Sequence, residues 1–233
     1  DLKQYLNDRY SLEYGLHSTY YNFNPGIIQP NGPTSGINRE ELTQKYAFEN
    51  AFYIDIKQQL NEKLSLSYGA RLSSFLRLGQ KELNTYDNDN AVAFNPDLQI
   101  YESVDPNGSI NTSSGKIQKS FLAIEPRLAA SYMISEDSSV KISYNRMAQY
   151  LHLLSNTTAP TPLDVWAPSG EYIKPQLLDQ VALGYFKNYE NYSFEIETFY
   201  KKIKNRIDYI DGANLIANKA IEQVLLNGRS RAY

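Results

Sequence analysis

Cysteine is absent from the 233 residues. Disulfides, a thiolate nucleophile and cysteine-ligated metal are excluded together. Two histidines, His17 and His152, leave little material for imidazole catalysis or a histidine metal cluster. No apolar run approaches the roughly 18 residues of a membrane-crossing helix, so any crossing must use strands. The formal net charge is −3, and no broad basic field argues for nucleic acid. The start, Asp1-Leu2-Lys3-Gln4, lacks the apolar core of a signal peptide, and the end, Gly228 to Tyr233, reads as a strand beginning. Both ends lead us to expect a fragment of a longer chain.

What is abundant is tyrosine, with 20 residues against 9 phenylalanines and 1 tryptophan. Tyrosine suits strands, and surfaces where one end of a ring is dry and the other wet. It sits in a strict alternation. Leu12, Tyr14 and Leu16 alternate with Glu13, Gly15 and His17, and Phe52, Ile54 and Ile56 with Ala51, Tyr53 and Asp55. The same period returns at Leu64–Leu72, at Leu122–Tyr132, at Val140–Tyr144, at Val181–Tyr185 and at Phe194–Tyr200. A period of two means strands with one apolar and one polar face. Short polar turns near 6–9, 58–62, 135–138 and 187–191 join some strands. Long connections over about 24–44, 79–119, 148–176 and 204–228 join the others. An unstructured connection as long as 79–119 is foreign to a compact soluble domain.

Strands of about 10–14 residues exceed the ~5–6 of soluble sheets and match a tilted membrane crossing. A soluble β-sandwich or small barrel also alternates. Against it stand mid-strand charges on the polar face (Glu49, Asp55, Arg71, Glu125, Arg127, Glu195, Glu197), and short turns on one rim with long loops on the other. The expected fold is all-β, an antiparallel up-and-down transmembrane β-barrel. Residues 1–233 form one part of it, holding about seven to eight strands.

Particular residues then resemble a known family. Ile124-Glu125-Pro126-Arg127-Leu128 resembles the E-P-R strand of TonB-dependent outer-membrane receptors. Tyr150 to Asn156, Pro160 to Trp166, and Tyr172-Ile173-Lys174-Pro175-Gln176 leading to Gly184-Tyr185 are similar to such receptors from Bacteroidetes-type bacteria. The resemblance is closest from Phe121 to Tyr233 and only architectural before it. It implies a barrel of about 22 strands, plugged by an N-terminal domain that this chain lacks. It also implies energised uptake of a scarce nutrient (an iron chelate, cobalamin or an oligosaccharide) across the bacterial outer membrane, with long loops extracellular. The implied partners are outer-membrane lipid, the TonB complex acting through the plug, a small nutrient ligand and a surface lipoprotein. A porin-like passive channel and a surface adhesin are the rival readings.

Catalytic chemistry finds no support. No serine sits in a G-x-S-x-G elbow. Glu195 and Glu197 share a strand face, but such a pair reads as a charged lumen wall. Asp87-Asn88-Asp89-Asn90 lacks the glycine and distal glutamate of an EF-hand loop. No enzyme activity, metal or cofactor is therefore assigned. The candidate ligand residues are the loop-rim rings Tyr86, Tyr101, Tyr150, His152, Trp166 and Tyr172, whose alternative role is to pack the loops together.

Overall fold

The computed structural model describes residues 1–36, 38–80, 82–155, 164–215 and 218–233. Nine strands form one antiparallel sheet, in which each strand pairs with its sequence neighbours. They are β1 (Leu2–Asn7), β2 (Tyr10–Phe23), β3 (Lys45–Gln59), β4 (Leu64–Leu78), β5 (Ile117–Ser135), β6 (Ser138–Gln149), β7 (Gln176–Asn188), β8 (Ser193–Tyr209) and β9 (Leu225–Ala232). The longest, β5, runs for 19 residues. No helix is long and apolar enough to cross a membrane, a statement that does not bear on crossing by strands. The sheet is open: β1 and β9 are its outer strands and do not pair with each other. Unpaired backbone groups cannot stand in hydrocarbon, so a sheet of this kind is a sector of a larger closed barrel.

Register decides which face is which. Leu12, Ile56, Tyr68, Leu128, Tyr144, Val181 and Tyr200 stand opposite one another in a single row from β2 to β8. A second row joins Leu16, Phe52, Leu72 and Ile124. All four of these side chains are exposed, as are Leu122 at 71%, Ile142, Leu183 and Ile196. A continuous exposed apolar surface of this extent belongs against lipid. No second sheet covers it among the described residues, which removes the sandwich reading.

The other face is polar and paired. Arg71 Nη2 lies 3.1 Å from Glu49 Oε1, and Arg71 Nε lies 3.8 Å from Glu125 Oε1. Arg127 Nη1 stands 3.6 Å from Asp55 Oδ2. The last pair spans an intervening strand, because Gly69 on β4 is opposite both Asp55 and Arg127. A Cβ at Gly69 would run into the Ile54 carbonyl and the Asp55 carboxylate. Gly184 on β7 lies between Lys141 and Glu197, and the Phe186 ring, followed by Glu197, occupies the place of its missing Cβ. Glycine suits Gly69 because the side chains of the flanking strands pass over it, and Gly184 because a ring of its own strand folds back across it.

The Glu125-Pro126-Arg127 run has a structural explanation. Proline offers no N–H to a ladder. The β5–β6 pairing reaches Arg127–Asn145 and goes no further toward the loops. Beyond that point the buried Glu125 carboxylate accepts the Ala148 N–H at 3.2 Å, a bond the ladder no longer makes. It also accepts the Ser73 hydroxyl at 2.5 Å. Pro175 plays a related part, ending the long connection one residue before β7 begins at Gln176. Its carbonyl accepts Asn205 Nδ2 at 2.9 Å, at a bulge in β8 where Asn205 takes a φ of 56°.

Candidate ligand site at the loop rim

The long connections, at the opposite end of the sheet from the short turns, are residues 24–44, 79–116, 150–175 and 210–224. They carry short ladders of their own, including 151–154 with 165–168 and 92–95 with 100–103. Side chains then tie one connection to the next. Tyr172 Oη donates to the Asn84 carbonyl at 2.9 Å, and Lys119 Nζ meets Glu171 at 2.7 Å. Tyr86 Oη donates to Glu222 Oε1 at 2.8 Å, and Gln223 Nε2 to the Val104 carbonyl at 2.6 Å. Lys219 pairs with Glu40. An apolar cluster of Leu154, Ala167, Ile173, Leu215, Ile221, Val224 and Leu225 seals the same layer. Ile221 and Val224 are the two ends of a 3₁₀ turn.

Beneath this cap lies a cavity of about 190 Å³. Its cationic wall is Lys45, the first residue of β3, and Arg77, near the end of β4. Both occupy inward-facing positions of adjacent strands, in register with Phe23 and Ala47. Arg77 is 4% exposed and donates to the Tyr46 carbonyl at 2.9 Å and to Gln80 Oε1. Lys45 has no ion pair among the described residues. Gln118 Nε2, which also lines the cavity, is buried without a hydrogen-bond acceptor among the described residues. Such a donor is costly to bury unpaired. Trp166 and Tyr172 also line the cavity, with three carboxylates, Glu82, Glu171 and Glu222, and a third cation, Lys219. The three cations and three carboxylates balance, and what the recess offers beyond them is Lys45 without an ion pair among the described residues, the Gln118 amide and two aromatic faces, a pattern suited to a small, flat ligand with an anionic edge.

The six candidate rings divide. Trp166, half exposed, and Tyr172 line the cavity. Tyr86 packs edge-on against Tyr172 at 5.1 Å and is buried. Burial and the Glu222 carboxylate push its hydroxyl pKa far up, and burial raises that of Tyr172 as well, so both remain donors. Tyr150 lies lower, stacked on Phe75 at 4.9 Å with its hydroxyl 2.8 Å from Ser73, and burial raises its pKa. His152 is 2% exposed, between Ser169 Oγ at 3.2 Å and Gln176 Nε2 at 3.0 Å. Burial lowers its pKa to about 4, so the ring is neutral at physiological pH. Tyr101 stands apart, its ring tilted against Phe94 at 5.1 Å in the 92–103 hairpin. Residues 156–163, which include Asn156 and Pro160 to Leu163 of the receptor-like segments, lie outside the described residues. Lys45, Arg77, Gln118 and Glu222 were not evident as site residues in the sequence. The signal available for the first two was their parity, inward at the loop ends of neighbouring strands.

Outward apolar rows, an inward ionic wall and a rim of interlocked connections define a sector of a large outer-membrane β-barrel. The profile of the TonB-dependent receptor-like β-barrel family matches residues 1–231. The chain belongs to that family, whose members are transport receptors of the bacterial outer membrane and not enzymes. Among solved structures, the chain is similar to the ferric-catecholate import receptor Fiu of E. coli K12 in its closed form. The TM-score is 0.52 and the identity 15%, over 95% of this chain and 31% of that one. The likeness is one of fold, and this chain spans less than a third of that receptor's length. No curated protein sequence matches it.

Proposed function

We propose that this chain is the loop-bearing sector of a receptor that imports a scarce nutrient with energy relayed by TonB. In this reading the long connections face the cell exterior. The plug and its TonB contact lie elsewhere in the receptor, and a surface lipoprotein seated on the loops is a further partner. The observation that carries the ligand class is the pairing of Lys45 and Arg77 with Trp166 and Tyr172 around one recess. It favours an anionic aromatic chelate of iron over a neutral oligosaccharide, because sugars offer no charge to a buried cation.

The test is uptake of a radio-iron-labelled ferric tris-catecholate by cells carrying the full-length receptor, with and without a protonophore. Energised import predicts uptake that requires the receptor, stops with the protonophore and falls about tenfold in Lys45→Gln. Receptor-dependent uptake that continues without energy would favour a passive channel. An energised receptor indifferent to this chelate would remove the ligand class and leave the transport reading standing.

A further inference from the structure

The recess beneath the cap has a volume of about 190 Å³. A cavity of about 150 Å³ accommodates one benzene ring, whereas sites for drug-sized ligands run to about 300–1,000 Å³. An iron chelate with three aryl arms is of the larger kind and does not fit whole. The recess has room for one ring and a group attached to it.

The walls set how that ring lies. Hydrogen-bond donors come from the barrel side, where Lys45 opens β3, Arg77 stands near the end of β4 and Gln118 near the start of β5. Gln118 is the extra residue of a bulge, since the ladder passes from Ile117–Leu78 to Lys119–Arg77. Such bulges re-aim a side chain. The aromatic faces of Trp166 and Tyr172 come from the connections. Trp166 is half exposed, which puts the mouth of the recess beside it.

The cations around the recess are not equally engaged. Lys219 pairs with Glu40, and Arg77 donates to the Tyr46 carbonyl and to Gln80. Lys45 has no ion pair among the described residues. Glu222 attracts it at longer range, but that carboxylate accepts the Tyr86 hydroxyl at 2.8 Å. Lys45 is therefore the charge that an incoming anion meets. In an aryl chelate the oxygens that hold iron face the metal. With the metal outside the mouth, the edge that reaches Lys45 is the far edge of the ring, and only an acidic group carried there supplies a negative charge.

We propose that the recess is a subsite for one aryl arm that carries a free carboxylate on the edge opposite its metal-binding oxygens. The carboxylate lies on Lys45 and the ring against Trp166 and Tyr172. The assignment rests on the iron-chelate reading above and narrows it. Arms joined through that edge by neutral amides are disfavoured, because they bring no charge to Lys45.

The experiment uses the full-length receptor in detergent and tris-catecholate complexes of chromium(III), a slowly exchanging stand-in for iron. Three complexes are compared by equilibrium binding. One is that of protocatechuate, whose carboxylate lies on the far edge. The others are that of the isomer with its carboxylate beside the diol, and that of protocatechuamide, which is neutral at the far edge. The protocatechuate complex is expected to bind about tenfold more tightly than either of the others. The isomer has the same charge, so a preference over it is not a general attraction for anions. Lys45→Gln should remove the preference, and metal-free protocatechuate should compete for the site. The comparison within the unmodified receptor needs no variant to fold. An unchanged preference in Lys45→Gln, or no competition by free protocatechuate, would overturn the proposal. Equal binding of the three complexes removes the subsite and leaves the chelate reading standing, whereas binding of none removes the chelate class and the subsite with it.

Discussion

Two glycines show how much a single Cβ can decide here. Gly69 lets the Asp55–Arg127 pair close over β4. Gly69→Val should force that pair apart and displace the Ile54 carbonyl, costing about 1–3 kcal/mol, as overpacking does. Gly36→Ala, which meets open space, should leave stability unchanged. Urea titration of the refolded receptor distinguishes the two. His152 gives a pH dependence with a definite sign. Its pKa is about 4 in the folded chain against 6.5 in a free side chain. The unfolded form therefore binds the proton first. The stability its neutral ring contributes is complete above pH 6.5 and drains away as pH falls toward about 4. Amide exchange in the 151–154 and 165–168 ladder, corrected for intrinsic rate, should accelerate over that window and lose this dependence in His152→Asn. A flat profile in the unmodified protein would contradict the burial argument. None of this was readable from sequence. His152 looks there like an exposed loop ring, and only the fold reveals that Ser169 and Gln176 close around it.

At the level of the strand, parity does the work. Leu128 and Ala129 are adjacent on β5, yet one faces outward in the seven-strand row and the other inward. Leu128→Arg should cost about 2–4 kcal/mol of barrel stability near the bilayer midplane, while Ala129→Arg costs little. The fraction of receptor that migrates as a compact species on unheated gels reports the difference. Equal penalties at the two positions would contradict the assigned faces. This alternation was legible in the sequence because a period of two survives whatever the strand packs against. Loop contacts were not legible. Tyr86 and Glu222, 136 residues apart, meet only because β4 and β9 carry their connections to the same rim. The E-P-R run stood out as a resemblance, but its reason did not. That reason is a proline that halts one ladder and a carboxylate that takes the stranded N–H.

On the scale of the whole molecule, the sheet is one sector of a wall that must close in order to exist within lipid. Its apolar rows face outward, its ion pairs face a lumen, and its long connections interlock above the recess that Lys45 and Arg77 line. The central claim is the placement of this sector: loops outside, strands in lipid, short turns inside. The absence of cysteine makes it directly measurable. Single cysteines at Leu98 in a long connection, Leu128 on the outward face and Glu62 in a short turn are introduced into the full-length receptor, any cysteine elsewhere being replaced by serine. Intact cells are then treated with a membrane-impermeant maleimide. The account predicts labelling at position 98, none at 128, and labelling at 62 only after the cells are opened. Labelling at 62 with protection at 98 on intact cells would invert the sector, and ready labelling at 128 would take the strands out of the membrane.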